Sequence, residues 1–144
     1  MHLISKKLDY ALRALTFMAT MTDRKIVLAR EIARCQQVPM RFLQKIMKDL
    51  VDQRLVRSYQ GPGGGYALAK KPAEITLRDV MEAVEGPIGL IECTEGDPGC
   101  GMYGNCPQVT SWQDLHRRFL KMLAEKRLTD LSGAYTKPVS LPTL

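Results

Sequence analysis

VPMRFLQKIMKDLVDQRLVRSYQGPGGGYALAK, residues 38–70, changes its hydrophobic rhythm halfway along, and that change decides the fold. In its first part Phe42, Leu43, Ile46, Met47 and Leu50 recur at three- and four-residue spacing. Such spacing gathers them on one inward helix face, with Arg41, Gln44, Lys45 and Lys48 facing outward. Val38-Pro39 breaks the chain before this run, and proline suits a first helical position, so the helix is predicted from Pro39 to about Gln53. From Leu55 the pattern becomes β-prone. LVRSY and YALAK flank QGPGGG, which reads as a hairpin.

Upstream, LAREIARCQ (28–36) predicts a short helix with Leu28, Ile32 and Cys35 on one side. Residues 5–22 predict a longer one, capped by Ser5, with Leu8, Ala11, Leu12, Leu15, Met18 and Ala19 at helical spacing. Two short helices, a tight break, a helix with a polar basic face and a hairpin make a winged helix-turn-helix pattern. A helix about 10–12 Å across fits the ~12 Å major groove of B-DNA. Met40, Arg41, Gln44 and Lys45 are the side chains placed to reach base edges there. Arg pairs bidentately with guanine and Gln with adenine. Lys48, Arg30, Arg34, Lys70 and Lys71 are assigned to phosphate. A solvated helix face is the plain alternative for scattered lysines; the conjunction of order, break and wing tips the balance.

GPGGGY is not followed by Gly-Lys-Ser/Thr and opens no helix, which argues against a nucleotide loop. Gln60, Gly61, Gly63 and Gly64 at the hairpin tip therefore have two readings, a tight turn alone or backbone approaching a groove.

Downstream, Thr76 starts a fourth helix, TLRDVMEAVEG, with Asp79 as its capping partner, and Gly86-Pro87 ends it. A final long helix is predicted from Thr110 or Ser111 to about Leu128, with Trp112, Leu115, Phe119, Met122 and Leu123 on one face. That stripe is either intramolecular core or a two-fold seam. The tail, residues 131–144, has two prolines and little periodicity and is expected to be disordered.

The 144 residues are 45% hydrophobic and 25% charged, enough for one soluble domain without disulfide staples. Charge is uneven: residues 1–71 hold 14 Lys/Arg against 5 Asp/Glu, and residues 72–144 hold 7 against 10. A basic first half suits a polyanion. The N-terminus is not patterned as a signal peptide and no segment is long and apolar enough to span a membrane, so the expectation is a cytoplasmic protein. No pairing of nucleophile and base is visible, which argues against an enzyme.

CTEGDPGCGMYGNC, residues 93–106, holds three of the chain's four cysteines. Gaps of six and five residues do not match the paired spacing of zinc fingers. A disulfide would leave one thiol over. Soft thiolates on a glycine-rich loop suit an iron–sulfur cluster, modestly ahead of zinc on the residues alone.

LDYALRAL, VPMRFLQKIMKDLVDQRLV, GPGGGYALAK, ITLRDVMEAVEG and the cysteine trio, in unbroken order over roughly residues 2–128, resemble the bacterial winged-helix regulators that include IscR and NsrR. The resemblance implies a fold that is mainly α with a small β-hairpin wing, a winged helix-turn-helix plus a long C-terminal dimerisation helix. It divides the chain into a DNA-binding domain (1–85), a cluster-binding loop (86–108), a dimerisation helix (109–130) and the tail. It further implies a homodimer seamed by Trp112, Leu115, Phe119 and Met122, reading a pseudo-palindromic double-stranded DNA site. Cys93, Cys100 and Cys106 would hold a [4Fe–4S] or [2Fe–2S] cluster. One fourth ligand used in such proteins, a histidine three residues after the last cysteine, is replaced by Val109. The other, an aspartate of the first helix donated across the dimer, matches Asp9, which favours [4Fe–4S]. An acid in the first turn of a helix is equally explained by the helix dipole. Relatives often carry arginine just before the glycine run, where Gln60 stands here. His116 is expected at the surface, and Cys35 is a small buried residue with ligation as an outside role. The alternatives are a cluster-free regulator of cysteine metabolism and a small zinc or electron-transfer protein.

Overall fold

A computed structural model describes residues 1–21 and 25–133. Helix α1 (Lys6–Thr20) is followed by α2 (Ala29–Gln36) and α3 (Met40–Asp52). Strands β1 (Val56–Tyr59) and β2 (Gly65–Leu68) form an antiparallel hairpin in the register Val56↔Leu68 to Tyr59↔Gly65. Then come α4 (Leu77–Glu85), α5 (Val109–Glu125) and α6 (Leu128–Ser132).

Helix α1 is the hub of the core. Leu8, Ala11, Leu15 and Phe17 are buried against Ile32 of α2, Leu43, Ile46, Met47 and Leu50 of α3, and Val80 and Val84 of α4. The ends are fixed by local chemistry. Ser5 Oγ caps α1 by accepting from Leu8 N at 3.0 Å, and its hydroxyl also donates to Glu85 at the end of α4. Thr76 and Asp79 form a reciprocal capping box at α4. The break between α2 and α3 turns on Gln37, which takes a left-handed conformation (φ 52°). Pro39 is the N-cap of α3 rather than its first helical residue, because its extended ψ of 133° turns the chain into the helix.

The hairpin is bolted to the chain entering α2. Val27 and Tyr66 exchange two backbone hydrogen bonds, both 2.8 Å. This third short rung fixes the wing beside α2 and α3.

The last helices depart from the sequence expectation. The long helix stops at Glu125, and Lys126 turns extended. Leu77 N then donates to Lys126 O and Leu128 N to Ile75 O, each at 2.8 Å. Burial of Leu128 drives the return, since its side chain completes the core beneath α1. Residues 131 and 132 of the expected disordered tail are helical; residues 134–144 lie outside the described part. Among the described residues no helix is long and apolar enough to cross a membrane.

Candidate functional site

Helix α3 presents Arg41, Gln44, Lys45 and Lys48 to solvent, as its periodicity predicts. Two of these are free to meet a polyanion: Arg41 and Lys45 have no carboxylate partner among the described residues. Lys48 is different. It pairs with Asp52 at 2.8 Å one turn on, and that hydrogen bond holds its ammonium pKa above the ordinary lysine value. A phosphate contact by Lys48 must compete with Asp52. Phe42 is the clear correction on this helix. Expected in the core, it stands 55% exposed, because Leu43 and Ile46 already fill the ground beneath α3. Its ring leans on Tyr10 of α1, with centroids 6.1 Å apart.

The wing's glycines separate into two kinds. Gly61 has φ +94°, which favours glycine whatever surrounds it. A Cβ on Gly64 would stand 2.3 Å from Tyr59 O, and one on Gly65 2.3 Å from Val27 O, so the turn and the Val27 rung exclude side chains there. Gly63 is neither strained nor crowded. The fold does not require it to be glycine. Gln60 is exposed beside it.

Cys93, Cys100 and Cys106 are all free thiols. They line one cavity of about 320 Å³ with Ile91, Tyr103 and Trp112. Loop turns at Gly96, Gly99 and Gly104 have positive φ, and Asp97 Oδ1 accepts from Gly99 N at 2.8 Å. Among the described residues no three His, Cys, Asp or Glu side chains converge closely enough to grip one metal ion. The donor set fits an iron–sulfur cluster in kind: three soft ligands on one cavity wall, carried by a loop whose glycines let it close.

Asp9 lies elsewhere within the chain. It pairs with Arg13 at 2.7 Å, one turn along α1. Arg13 also sits 5.6 Å over the Tyr10 ring. Cys35 is half-buried against the core and lines no part of the thiol cavity. His116, expected at the surface, is half-buried, and its Nε2 lies 2.7 Å from Ile88 O. It tethers α5 to the chain leading into the thiol loop.

On α5, Leu123 is buried, while Leu115 and Met122 are 51% and 63% exposed. Trp112 and Phe119 are half-buried. The apolar stripe is thus split: one edge packs inside and the other is left uncovered.

A family described as iron-dependent transcriptional regulators, Rrf2, matches residues 4–134. The chain belongs to the Rrf2 family. It is 33% identical over 134 residues to a putative HTH-type transcriptional regulator of Mycobacterium tuberculosis, covering 90% of this chain and 81% of that one. It is 31% identical over 129 residues to the regulator NsrR of Oceanobacillus iheyensis, covering 89% and 88%. Its structure resembles that of CymR, the global cysteine regulator of B. subtilis, with a TM-score of 0.73 at 26% identity, covering 95% and 100%. As an Rrf2 protein it is a winged-helix, DNA-binding transcription regulator and not an enzyme. The sequence found the outward cations of α3 and the three thiols. It missed Phe42 and the His116 tether. An aromatic residue at the margin of a helix's apolar stripe carries no signal of which way its ring turns, and a backbone acceptor such as Ile88 O leaves no trace in a side-chain pattern.

Proposed function

We propose that this Rrf2 protein is a homodimeric repressor whose DNA binding responds to an iron–sulfur cluster held by Cys93, Cys100 and Cys106. The observation that carries the reading is the single cavity lined by all three free thiols. When bound, the cluster supplies reactivity towards oxygen or nitric oxide. The residues of the chain do the rest. Arg41, Gln44 and Lys45 meet base edges, Lys48 meets phosphate in competition with Asp52, and the wing at Gln60, Gly61, Gly63 and Gly64 brings its backbone to the minor groove. The uncovered edge of α5, Leu115 and Met122 with half-buried Trp112 and Phe119, supports pairing with a second copy; two reading heads then address a pseudo-palindromic site in cytoplasmic DNA.

Asp9 of that second copy is the fourth ligand in this reading, and [4Fe–4S] the preferred cluster. A carboxylate binds iron more weakly than a thiolate, which suits an exchangeable sensing position. Asp9 also holds Arg13, and Arg13 Nη1 approaches Gln36 O at the end of α2, 3.5 Å away. Drawing the carboxylate towards iron therefore loosens a tie next to the turn before the reading helix.

Protein purified without oxygen should contain iron and acid-labile sulfide in equal amounts, with the Mössbauer signature of a four-iron cluster. Replacing Asp9 with Ala should alter that spectrum and its reactivity. A colourless, iron-free preparation that still binds promoter DNA would instead establish the cluster-free reading. That second reading, a regulator of cysteine metabolism, draws support from the spread of the thiols over the cavity wall and from the likeness to CymR.

A further inference from the structure

The first turn of α3 carries two large apolar side chains that the core does not use. Met40 is 37% exposed and Phe42 55%. With Pro39, Arg41 and Lys45 they line an open, mainly apolar notch of about 560 Å³. The notch is held in place from behind. Phe42 leans on Tyr10 at an interplanar angle of 59°, and Tyr10 packs against the core. Its rim is positive, since neither Arg41 nor Lys45 has a carboxylate partner among the described residues.

We propose that Met40 and Phe42 read thymine: the notch accepts the C5-methyl group of a thymine in the major groove, beside the base pair that Arg41 contacts. The inference rests on α3 being the reading helix. Charge selects the occupant. A rim of unpaired cations favours a polyanion over a second copy of this basic chain, whose net charge is +6. Among the groups that B-DNA displays in its major groove, the thymine methyl is the apolar one, and side chains such as Phe meet it by apolar contact. Hydrogen-bonding side chains at Arg41 and Gln44 then read the neighbouring pairs. The polar reading face expected from periodicity becomes a mixed one, with a methyl pocket at its N-terminal end.

The test uses the full chain and a duplex selected by it from random sequence, with each thymine in turn replaced by deoxyuridine, which lacks only the methyl group. One thymine in each half-site should show a loss of about fourfold, the scale of one methyl group returned to water. Met40→Ala and Phe42→Ala should each weaken binding and shrink the difference between thymine and uracil at that position. Arg41→Ala should weaken both duplexes and preserve the difference. Indifference to uracil at every thymine, or a full difference surviving in both apolar variants, overturns the proposal. Binding that stays indifferent to uracil yet depends on Arg41 overturns the notch alone. Binding that depends on none of Met40, Arg41, Phe42 and Lys45 overturns the placement of α3 as well. Both apolar side chains are exposed, so the variants should keep their thermal midpoints, and that measurement accompanies each titration.

Discussion

The reading head and the thiol loop are built on opposite plans. In the head, Leu15, Ile32, Leu43, Ile46 and Leu50 are fully buried around α1, and the wing is tied to Val27 by two backbone hydrogen bonds. In the loop, every residue from Glu95 to Asn105 is exposed, and its order comes from tight turns and the Asp97–Gly99 hydrogen bond. The head owes its shape to apolar burial, which outweighs the entropy of ordering the chain. The loop buries almost nothing, so little apolar burial holds its shape. One region is held by its core, and the other, in the function proposed above, is held by the cluster it binds.

That contrast is most sharply tested by removing single thiols. Cys93→Ser, Cys100→Ser or Cys106→Ser should each abolish iron and sulfide retention while the head's thermal midpoint is preserved. A large fall in that midpoint would show that the loop supports the core after all. The converse variant is Ile46→Ala, which removes a fully buried side chain from beneath the reading helix. It should cost about 2–5 kcal/mol in chemical denaturation, with the thiols still reactive. Next comes Arg41→Ala, expected to weaken operator binding by about 1–3 kcal/mol with iron content unchanged, measured in a titration at fixed salt.

The wing offers an internal control. Gly65→Val should destabilise the hairpin, because a side chain there meets Val27 O. Gly63→Val has open space around it and should fold normally. If the wing approaches DNA closely, Gly63→Val weakens binding without moving the thermal midpoint; unchanged affinity would remove Gly63 from the interface. The smallest effect belongs to the head's own edge. Thr76→Ala deletes the cap that accepts from Asp79 N and should cost about 1 kcal/mol of stability, leaving both iron content and DNA affinity intact.

Much of this was legible in the chain. Helical spacing identified the buried faces of α1 and α3, and Val38-Pro39 marked the break before α3. The Thr76 cap appeared where Thr and Asp stand three residues apart. The three cysteines stand close together in the sequence, and in the structure they line one cavity. Phe42 misled because it adjoins Leu43 at the margin of the apolar stripe, where a rotation of a few tens of degrees decides between core and solvent. Leu128 misled in another way: the long helix was expected to run on to it, yet the chain bends at Lys126 and Leu128 enters the core under α1.

By itself the sequence determined the order of the main helices, the wing, the basic outward face and the grouping of three thiols on one loop, because periodicity, turn residues and spacing act over a few residues. Tertiary structure alone decided that Phe42 faces outward beside Met40, that Gly65 is pressed against Val27 O, and that the end of α5 returns to the head. Each of these depends on which surfaces cover one another, and that is set by contacts between residues far apart in the chain.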